Sequence, residues 1–587
     1  MGLNIAVVLI LVITAFAWSS KARGYGLFSG LLMLLCVLCA GGIAFALWEP
    51  ASVALADNSN SILRDLSWGI GLLGPFAIAL LVLRLAVDQT VKANLEFGDA
   101  ANLVGGGLFG LAAGVITSGM VVLGLSHMRF PPALLGHAAA VEENDGTASF
   151  ANLWVPVDAL TVSLYESLSR NGFASGTPLA ERRPDAHVAA AMNRLSFNDT
   201  AFVTLPPDSF EVIGRYEIPG SRNELLADNN SEVVQNVEYL HGDAPATGKI
   251  VGLVTRLNAG AKEGSGGNII TTPGQVRLVA DTPNGPRGFH PIAAVAPPEA
   301  GSVALFRFRF DSDKLYVADT GGGSDIVFAY EFYLPENATP TDLIIKNLRE
   351  PLTGSGSPEA IAFDDVEDRD DRIFDRTIFE PFGITVAGAL DSIDVEEART
   401  IQTRDAGGNR AIGIIAGDRF PTTWTLSKER ARGIFDIDED NAVVEGEATF
   451  GTDWLAERGL GRNLRVERIA SGRNTSVLWI ELVNEDRRSV FGRAVESADR
   501  FQRPVIIDEN GTTYSAIGFL AVSGDSDFTL RITPDRPVRA LSEIPTVSAS
   551  KRDQSLWLIF RPTANTRISA FRLGEEVSLF DPPVALR

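Results

Sequence analysis

Four acidic side chains between Asp436 and Glu447 have the spacing of a calcium-binding loop. In the segment FDIDEDNAVVEGE, Asp436, Asp438, Asp440 and Glu447 occupy positions 1, 3, 5 and 12 of such a loop. Carboxylate oxygens at this spacing suit a hard divalent cation. The sixth position is Asn441 instead of glycine, and the flanking residues resemble strands as much as helices. Two interpretations stay open, a calcium loop and an acidic hairpin turn, and we favour the hairpin.

Other side chains that could do chemistry are sparse. Cys36 and Cys39 are the only cysteines, and they form a C-x-x-C pair inside an apolar run with no second pair or histidine nearby, so we expect them to be packing residues. The segment Ser523–Asp527 superficially resembles a serine-protease nucleophile loop, but the glycine after Ser526 is missing and no histidine has the required context. The sequence therefore predicts a protein that is not an enzyme and needs no cofactor.

Four apolar runs are each long enough to cross a bilayer, at about residues 3–18, 25–48, 66–87 and 102–125. Trp18, Trp48 and Trp68 lie at their ends, and we expect the indole rings in the headgroup layer. Arg84 and Asp88 lie four residues apart near the end of the third run, where anchoring is a better interpretation than transport. We predict a transmembrane bundle of four helices over residues 1–128.

The fourth run contains glycines at a spacing that places them on one helix face. In NLVGGGLFGLAAG, residues 102–114, Gly106, Gly110 and Gly114 are four positions apart. Small residues let neighbouring helices approach closely in a membrane. We expect this face to pack against another helix, and it also allows a homo-oligomer to form through the fourth helix.

Basic residues in the short loops indicate the orientation. Lys21 and Arg23 lie in the first loop without an acid, Lys92 lies in the third, and Arg64 in the second loop is outnumbered by acids. Positive-inside counting places loops one and three in the cytoplasm and both termini outside. A cleaved signal peptide ending near Ala15-Phe16-Ala17 is the rival interpretation, but no Lys or Arg precedes its apolar run.

The charge of the chain lies almost entirely outside this head. The chain has 587 residues and a net charge of -22, and the six basic and six acidic residues in 1–129 cancel. The long remainder is therefore strongly acidic, which disfavours contact with nucleic acid. We expect no nucleic-acid function.

The head resembles the colicin V production (CvpA-type) membrane proteins. The resemblance rests on four closely spaced spans, a basic first loop, and the pattern Asn102-Leu103 followed by Gly106, Gly110 and Gly114, and it covers residues 1–130. It implies an inner-membrane protein linked to colicin V production, a toxin biosynthetic process, or to envelope maintenance. The family is not known for an active site in these helices.

The acidic remainder begins with a mixed region. Residues 129–247 are predicted as an α/β connecting region, and PVDALTVSLYESLSR places Val157, Leu160, Leu164 and Leu168 on one stripe of an amphipathic helix. Beyond 248 the period becomes two, as in VALFRFRF at 303–310. Alternation of this kind is typical of a half-buried strand.

Two segments of this β region repeat. VRLVADTPNGPRGFHPIAAV at 276–295 parallels VIIDENGTTYSAIGFLAV at 505–522, and each is followed by a second pair of strands. Gly285 precedes Pro335 by 50 positions and Gly511 precedes Pro562 by 51. Nearly equal spacings predict two copies of one unit. We expect two immunoglobulin-like β-sandwiches, at 248–351 and 471–587, separated by an acidic linker and β-rich segment at 352–470.

The second copy also resembles the telokin-like sandwich domains of exported bacterial proteins, through LWIELVN, a D-x-NG-x-x-Y turn and LWLIFRP. The resemblance implies a binding module. The sequence as a whole predicts a multi-pass inner-membrane scaffold that displays two sandwiches outside the membrane to bind an envelope protein or a cell-wall partner. The alternative is a component of a transport or export system.

Overall fold

The computed structural model describes most of the chain. The described residues are 1–19, 26–57, 61–91, 95, 97–142, 148–174, 176, 178–195, 202–226, 245–263, 268–297, 305–310, 316–319, 325–354, 357–384, 398–403, 413–421, 425–457, 459–472, 474–483, 503–522, 527–538, 540–545, 555–573 and 576–586.

Four long helices form the N-terminal part, and all four are long and apolar enough to cross a membrane. They are α1 (Gly2–Ser19), α2 (Leu27–Ala56), α3 (Ser61–Thr90) and α4 (Asp99–Ser126). The predicted four-helix transmembrane segment is confirmed at this level. The start of α1, the end of α2, the start of α3 and the end of α4 lie at one end of the bundle, because Leu3 packs with Val122 and Trp48 packs with Trp68. The chain therefore continues into the β region on the side of its own N-terminus.

The three glycines of α4 lie against α1. A Cβ built on Gly110 would lie 2.8 Å from the Thr14 carbonyl oxygen, and Cβ atoms on Gly106 and Gly114 would collide with Trp18 and Thr14. Only glycine permits this approach of two helix backbones. The glycine face is occupied within the chain, so a homo-oligomer built on α4 would have to use another face of the helix.

Three shorter helices follow the bundle, α5 (Val157–Arg170), α6 (Leu179–Arg182) and α7 (Ala186–Leu195). Helix α5 packs on α4, where Gly119 faces Thr161, and the Tyr165 hydroxyl donates to the carbonyl oxygens of Val37 and Leu38 in α2 at 3.2 and 3.1 Å. The predicted apolar stripe is wrong about Leu160, which is 49% exposed. The face of α5 that meets the bundle is instead the one that carries Thr161 and Tyr165, and Leu160 lies outside it.

The other α-helices of the described residues are α8 (Arg222–Leu226), α9 (Val366–Phe374) and α10 (Lys428–Ala431). Helix α9 comes from the acidic run FDDVEDRDDRIFDR, in the region predicted as an acidic linker and β-rich segment. Asp365 caps it by accepting from the backbone N–H groups of Glu367 and Asp368, both at 2.9 Å. Arg369 is buried and lies 3.4 Å from the buried Glu331 carboxylate, so the helix is packed on the first sheet.

The remaining described chain is mainly β-structure, as predicted. Its strands are β1 (Ala133–Leu134), β2 (His137–Ala138), β3 (Ala140–Glu142), β4 (Ala148–Phe150), β5 (Phe210–Ser221), β6 (Thr247–Asn258), β7 (Asn268–Thr271), β8 (Val276–Thr282), β9 (Gly285–Phe289), β10 (Ala293–Ala296), β11 (Phe306–Arg309), β12 (Tyr316–Asp319), β13 (Asp325–Pro335), β14 (Thr339–Ile345), β15 (Leu348–Pro351), β16 (Ala360–Ala362), β17 (Arg399–Gln402), β18 (Ile414–Ala416), β19 (Leu426–Ser427), β20 (Asp436–Ile437), β21 (Ala442–Phe450), β22 (Arg465–Val466), β23 (Arg468–Ile469), β24 (Leu478–Val483), β25 (Pro504–Asp508), β26 (Thr513–Val522), β27 (Phe528–Ile532), β28 (Ser555–Phe560), β29 (Arg567–Leu573) and β30 (Glu576–Ala585).

The first β unit consists of two facing sheets. One has the order β11-β10-β13-β6-β5-β16 and the other β15-β14-β8-β9. Alternate residues of both sheets, such as Leu253 on β6, Phe332 on β13 and Leu278 on β8, enclose one apolar core. Strand β5 lies in the region predicted as a connector, yet it pairs with β6 along its whole length, from Phe210 opposite Leu257 to Ser221 opposite Thr247.

The second unit is one bent sheet of twelve strands. Strand β26 passes from one half to the other, because its first residues pair with β25 and its later residues pair with β28. Strand β24, in the segment VLWIELV, has both faces covered: Leu478 and Ile480 belong to one core and Trp479 to the opposite one. Strands β17, β18, β20, β21 and β23, from the predicted linker region, belong to this sheet, and β19 pairs with β22 in a separate two-stranded sheet.

The two units share a topology. In the first, the pairings run β11-β10-β13-β6-β5 and β15-β14-β8-β9. In the second they run β27-β26-β28-β24-β18 and β30-β29-β25-β26, in the same chain order and all antiparallel. The bent strand β26 occupies the positions that β9 and β10 have in the first unit. The internal repeat seen in the sequence therefore extends to the strand order, while its immunoglobulin-like classification stays a prediction.

The Asn-Gly turns connect the strands of equivalent hairpins, β8 and β9 in the first unit and β25 and β26 in the second. Gly285 and Gly511 adopt φ of 100° and 83°, which favours glycine. In the second turn the buried Asp508 carboxylate accepts from the N–H groups of Asn510 and Thr512 and from the Tyr514 hydroxyl at 2.6 Å. These contacts explain why Asp, Asn-Gly and Tyr occur together in the D-x-NG-x-x-Y pattern.

Candidate functional site

A hairpin tip of the first β unit lies against the ends of the membrane helices. Strands β14 and β15 are joined by Lys346 and Asn347, and Ile345 pairs with Leu348. Both tip residues have positive φ, 46° and 67°. A two-residue turn of this kind matches the twist of the flanking strands. We call this contact between hairpin and helices the junction: Trp48, Glu49, Trp68, His127, Arg183, Asn347 and Arg349.

Asn347 joins three separate segments at the junction. Its Nδ2 donates to the Val203 carbonyl oxygen at 3.1 Å, and its own carbonyl oxygen accepts from Arg183 Nη2 at 2.8 Å. Its Oδ1 lies 3.3 Å from His127 Nδ1, immediately after α4. Because the amide nitrogen is already a donor to Val203, the amide oxygen accepts the Nδ1 proton of His127. The tip is therefore held by directional bonds as well as by packing.

Glu49, near the end of α2, is the anionic centre of the junction. Arg349 of β15 donates through Nε to both Glu49 oxygens at 2.8 and 3.2 Å. Arg183 and Arg182 lie 3.9 and 3.8 Å from the same carboxylate. Arg349 also pairs with Asp342 on β14. A single carboxylate on a membrane helix thus faces cations from the hairpin and from the C-terminal end of α6.

Two tryptophans complete the contact. The Trp48 indole N–H donates to the Trp68 carbonyl oxygen at 2.9 Å, and the two rings meet edge to face with centroids 5.9 Å apart. The Arg183 guanidinium lies 4.1 Å from the centre of the Trp68 ring, a cation–π contact. Both tryptophans are 1% exposed. Residues of α2, α3, α4, α5 and α7 form the apolar cluster around these rings, and their place in the headgroup layer stays a prediction.

Burial sets the protonation states of the junction. Burial lowers the pKa of His127 to about 3, and the nearby Arg183 charge adds to this shift, so the imidazole is neutral at pH 7. Burial also lowers the pKa of Arg183 to about 10, which leaves it charged and opposite Glu49. The arrangement can hold the helix ends and the hairpin tip in a fixed orientation. The imidazole that it places next to the membrane is neutral.

Further ionic contacts lie at this end of the bundle and within the first β unit. Arg129 pairs with Asp65 of α3 at 3.0 Å, and the buried Lys346 ammonium contacts the buried Glu263 carboxylate. Arg536 of the second β unit donates to the carbonyl oxygen of Asp57, which follows α2. Both β units therefore contact the same end of the bundle.

A cleft of about 610 Å³ lies between the two units above this end. Its wall includes charged residues of the first unit, such as Glu211 and Arg256, and of the second, such as Arg503 and Asp535. The mixture of both signs suits a polar segment of another protein better than an apolar ligand.

The predicted calcium ligands lie in a β-hairpin. Asp436 belongs to β20, Glu447 belongs to β21 and faces Arg531, and Asp438 Oδ1 accepts from the Ala442 N–H at 2.8 Å in the turn. Asn441 has φ of 60°. Within the described ranges no group of three metal-ligating side chains occurs. The geometry agrees with the favoured hairpin, and calcium binding by Asp436, Asp438, Asp440 and Glu447 stays a prediction.

The other candidate residues are dispersed. Cys36 is buried in α2 and Cys39 is exposed on the same helix. Arg84 and Asp88 form the predicted ion pair at 2.7 Å, at the far end of α3 from the junction. His290 is buried, with Nδ1 2.8 Å from the Pro273 carbonyl oxygen. Residues 523–526 of the protease-like segment lie outside the described residues.

Comparison with protein-family models, with curated proteins and with solved structures finds no match. The functional conclusion therefore depends on the sequence and on the geometry above.

Proposed function

We propose that this chain is a non-enzymatic scaffold of the inner membrane, of CvpA type, that holds two sandwich modules in a fixed position outside the membrane. The supporting observation is the junction: Glu49 of a membrane helix binds Arg349 of the first β unit and faces Arg183 after α6, and none of the three side chains is more than 19% exposed. A flexible tether between the helices and the β region would not need this many directional contacts. A scaffold that presents a binding surface at a set height and angle does need them.

Placement outside the cytoplasm is supported by charge. The β region lies at the end of the bundle that carries the chain's N-terminus, and the basic first loop with Lys21 and Arg23 connects α1 to α2 at the opposite end. Basic loops face the cytoplasm in membrane proteins. The region would then project into the envelope, where the charged cleft between the units is the proposed site for an envelope protein or cell-wall partner.

Reporter fusions test this orientation. A reporter that is active only outside the cytoplasm should be active when fused after Arg587 and silent when inserted after Arg23 in the first loop. The same pair of fusions with a cytoplasm-active reporter should give the opposite pattern. An active reporter at Arg23 together with a silent one at Arg587 would move the β region into the cytoplasm and refute the proposed role in the envelope.

A further inference from the structure

A second cavity of about 280 Å³ lies between α2 and the α5–α6 segment, beside the junction. We call it the α2–α5 pocket, and its walls include Phe45, Ala46, Phe173, Leu179, Arg182 and Arg183. One side is the apolar surface of a membrane helix and the other carries two adjacent arginines. A cavity of this composition is amphipathic in the same sense as a phospholipid.

The polar side of the pocket has an excess of positive charge. Glu49 is the one carboxylate among its lining residues, and Arg349 binds that carboxylate more closely than either pocket arginine does. Arg182 is 3.8 Å from Glu49 at its nearest, and among the described residues its buried Nε has no hydrogen-bond partner. A guanidinium in this state is a donor for a phosphate or carboxylate ligand.

The apolar side of the pocket is continuous with the lipid-facing surface. Ile43 and Leu47, on either side of the pocket residues Phe45 and Ala46, are 42% and 47% exposed, and Leu35 further along α2 is 48% exposed. In a helix that crosses a membrane, exposed apolar side chains contact acyl chains. The Phe173 ring, which packs over Gly42, forms the wall between this surface and α5.

We propose that the α2–α5 pocket binds one anionic phospholipid. Arg182 contacts the headgroup phosphate, Arg183 adds to the positive potential, and one acyl chain lies along Ile43, Leu47 and Leu35. Soluble phosphate esters share the headgroup chemistry, but only a lipid also covers the apolar wall. Basic pockets beside membrane helices bind acidic lipid headgroups by the same combination of charge and apolar contact. This inference does not depend on which side of the membrane the β region occupies.

Native mass spectrometry of the full chain tests the site. The protein, released from nanodiscs that contain equal amounts of phosphatidylglycerol and phosphatidylcholine, should retain phosphatidylglycerol in preference. Arg182→Gln removes a charge-assisted contact and should reduce the retained phosphatidylglycerol about tenfold. Arg84→Gln is the matched control, because Arg84 lies at the other membrane boundary and pairs with Asp88; its retention should stay within about twofold of the unmodified chain.

A second variant tests the cavity without changing any charge. Ala46→Phe fills the pocket from an exposed position on α2 and should also abolish the preference for phosphatidylglycerol. Equal retention by Arg182→Gln and the unmodified chain would overturn the proposal, as would full retention by Ala46→Phe. Displacement of the lipid by an equal concentration of soluble glycerol phosphate would identify a free phosphate ester as the ligand and overturn it as well.

Discussion

Replacement of Glu49 by glutamine tests the junction most strongly. The substitution keeps the size of the side chain and removes the charge that Arg349 and Arg183 share. The Glu49 side chain is 19% exposed, and those of the two arginines are 15% and 7% exposed. Breaking a buried ion pair by removing one partner costs about 3–5 kcal/mol, because the other charge stays buried without compensation. Partial exposure of Glu49 reduces this cost, so we expect Glu49→Gln to lower the free energy of unfolding by about 2–3 kcal/mol.

The loss can be measured in nanodiscs by two methods. The apparent melting temperature should fall by roughly 5–10 °C, and backbone amides of β14 and β15 should exchange hydrogen faster than in the unmodified chain. Asp88→Asn is the control, because it breaks the exposed ion pair with Arg84, and it should cost less than about 1 kcal/mol.

A double-mutant cycle isolates the contact itself. Combined with Arg349→Met, Glu49→Gln should cost less than the two single changes added together, with a coupling energy of at least about 1 kcal/mol. Additive effects, or a melting temperature for Glu49→Gln equal to that of Asp88→Asn, would show that the junction does not stabilise the chain and would refute the reasoning.

Three further substitutions test other parts of the structure. Gly110→Leu should cost roughly 1–3 kcal/mol in thermal stability, because its side chain would force α1 away from α4, whereas Gly107→Leu, whose Cβ would be 3.7 Å from its nearest neighbour, should have little effect. Tyr514→Phe removes a donor from the buried Asp508 carboxylate and should destabilise the second β unit by about 1.5–3 kcal/mol, measured by the loss of amide protection in β25 and β26; unchanged protection would contradict the role assigned to the turn. His127→Gln should make the chain less sensitive to acid: the pKa of His127 is lowered to about 3 in the folded chain, so its contribution to stability is present above pH 6.5 and decreases by about 1.4 kcal/mol per pH unit as the pH falls from 6.5 toward 3. Melting curves at pH 7 and pH 5 should therefore differ more for the unmodified chain than for His127→Gln, and equal differences would contradict a neutral, buried imidazole.

Local signals in the sequence predicted much of the fold. Long apolar runs predicted α1–α4, since a span needs about 20 helical residues and little else. The Asn-Gly turns at Gly285 and Gly511 predicted hairpins, because the φ of such turns favours few residue types. The repeat spacing predicted two similar units, and their shared strand order extends that agreement from the sequence to the topology.

Long-range contacts could not be predicted in the same way. Nothing in the sequence near β5 shows that it pairs with β6, because 25 residues separate the two strands in the chain and the pairing depends on the sheet that they form. The contact of Asn347 with His127 could not be predicted either, because it depends on how the first unit meets the bundle. Arg369 lies in an acidic run, and its burial depends on the contact with Glu331 on β13, which is 38 residues away in the chain.

The central claim is that the bundle and the β region are held as one rigid body through the junction. Pulsed electron spin resonance in nanodiscs tests it directly, with Cys36 and Cys39 replaced by alanine and spin labels at Ile78 on α3 and Phe374 on α9, which are 66% and 84% exposed. A single narrow distance distribution, which broadens in the Glu49→Gln variant, is the predicted result. A broad distribution in the unmodified chain would show that the β region moves freely on a tether and would contradict the account.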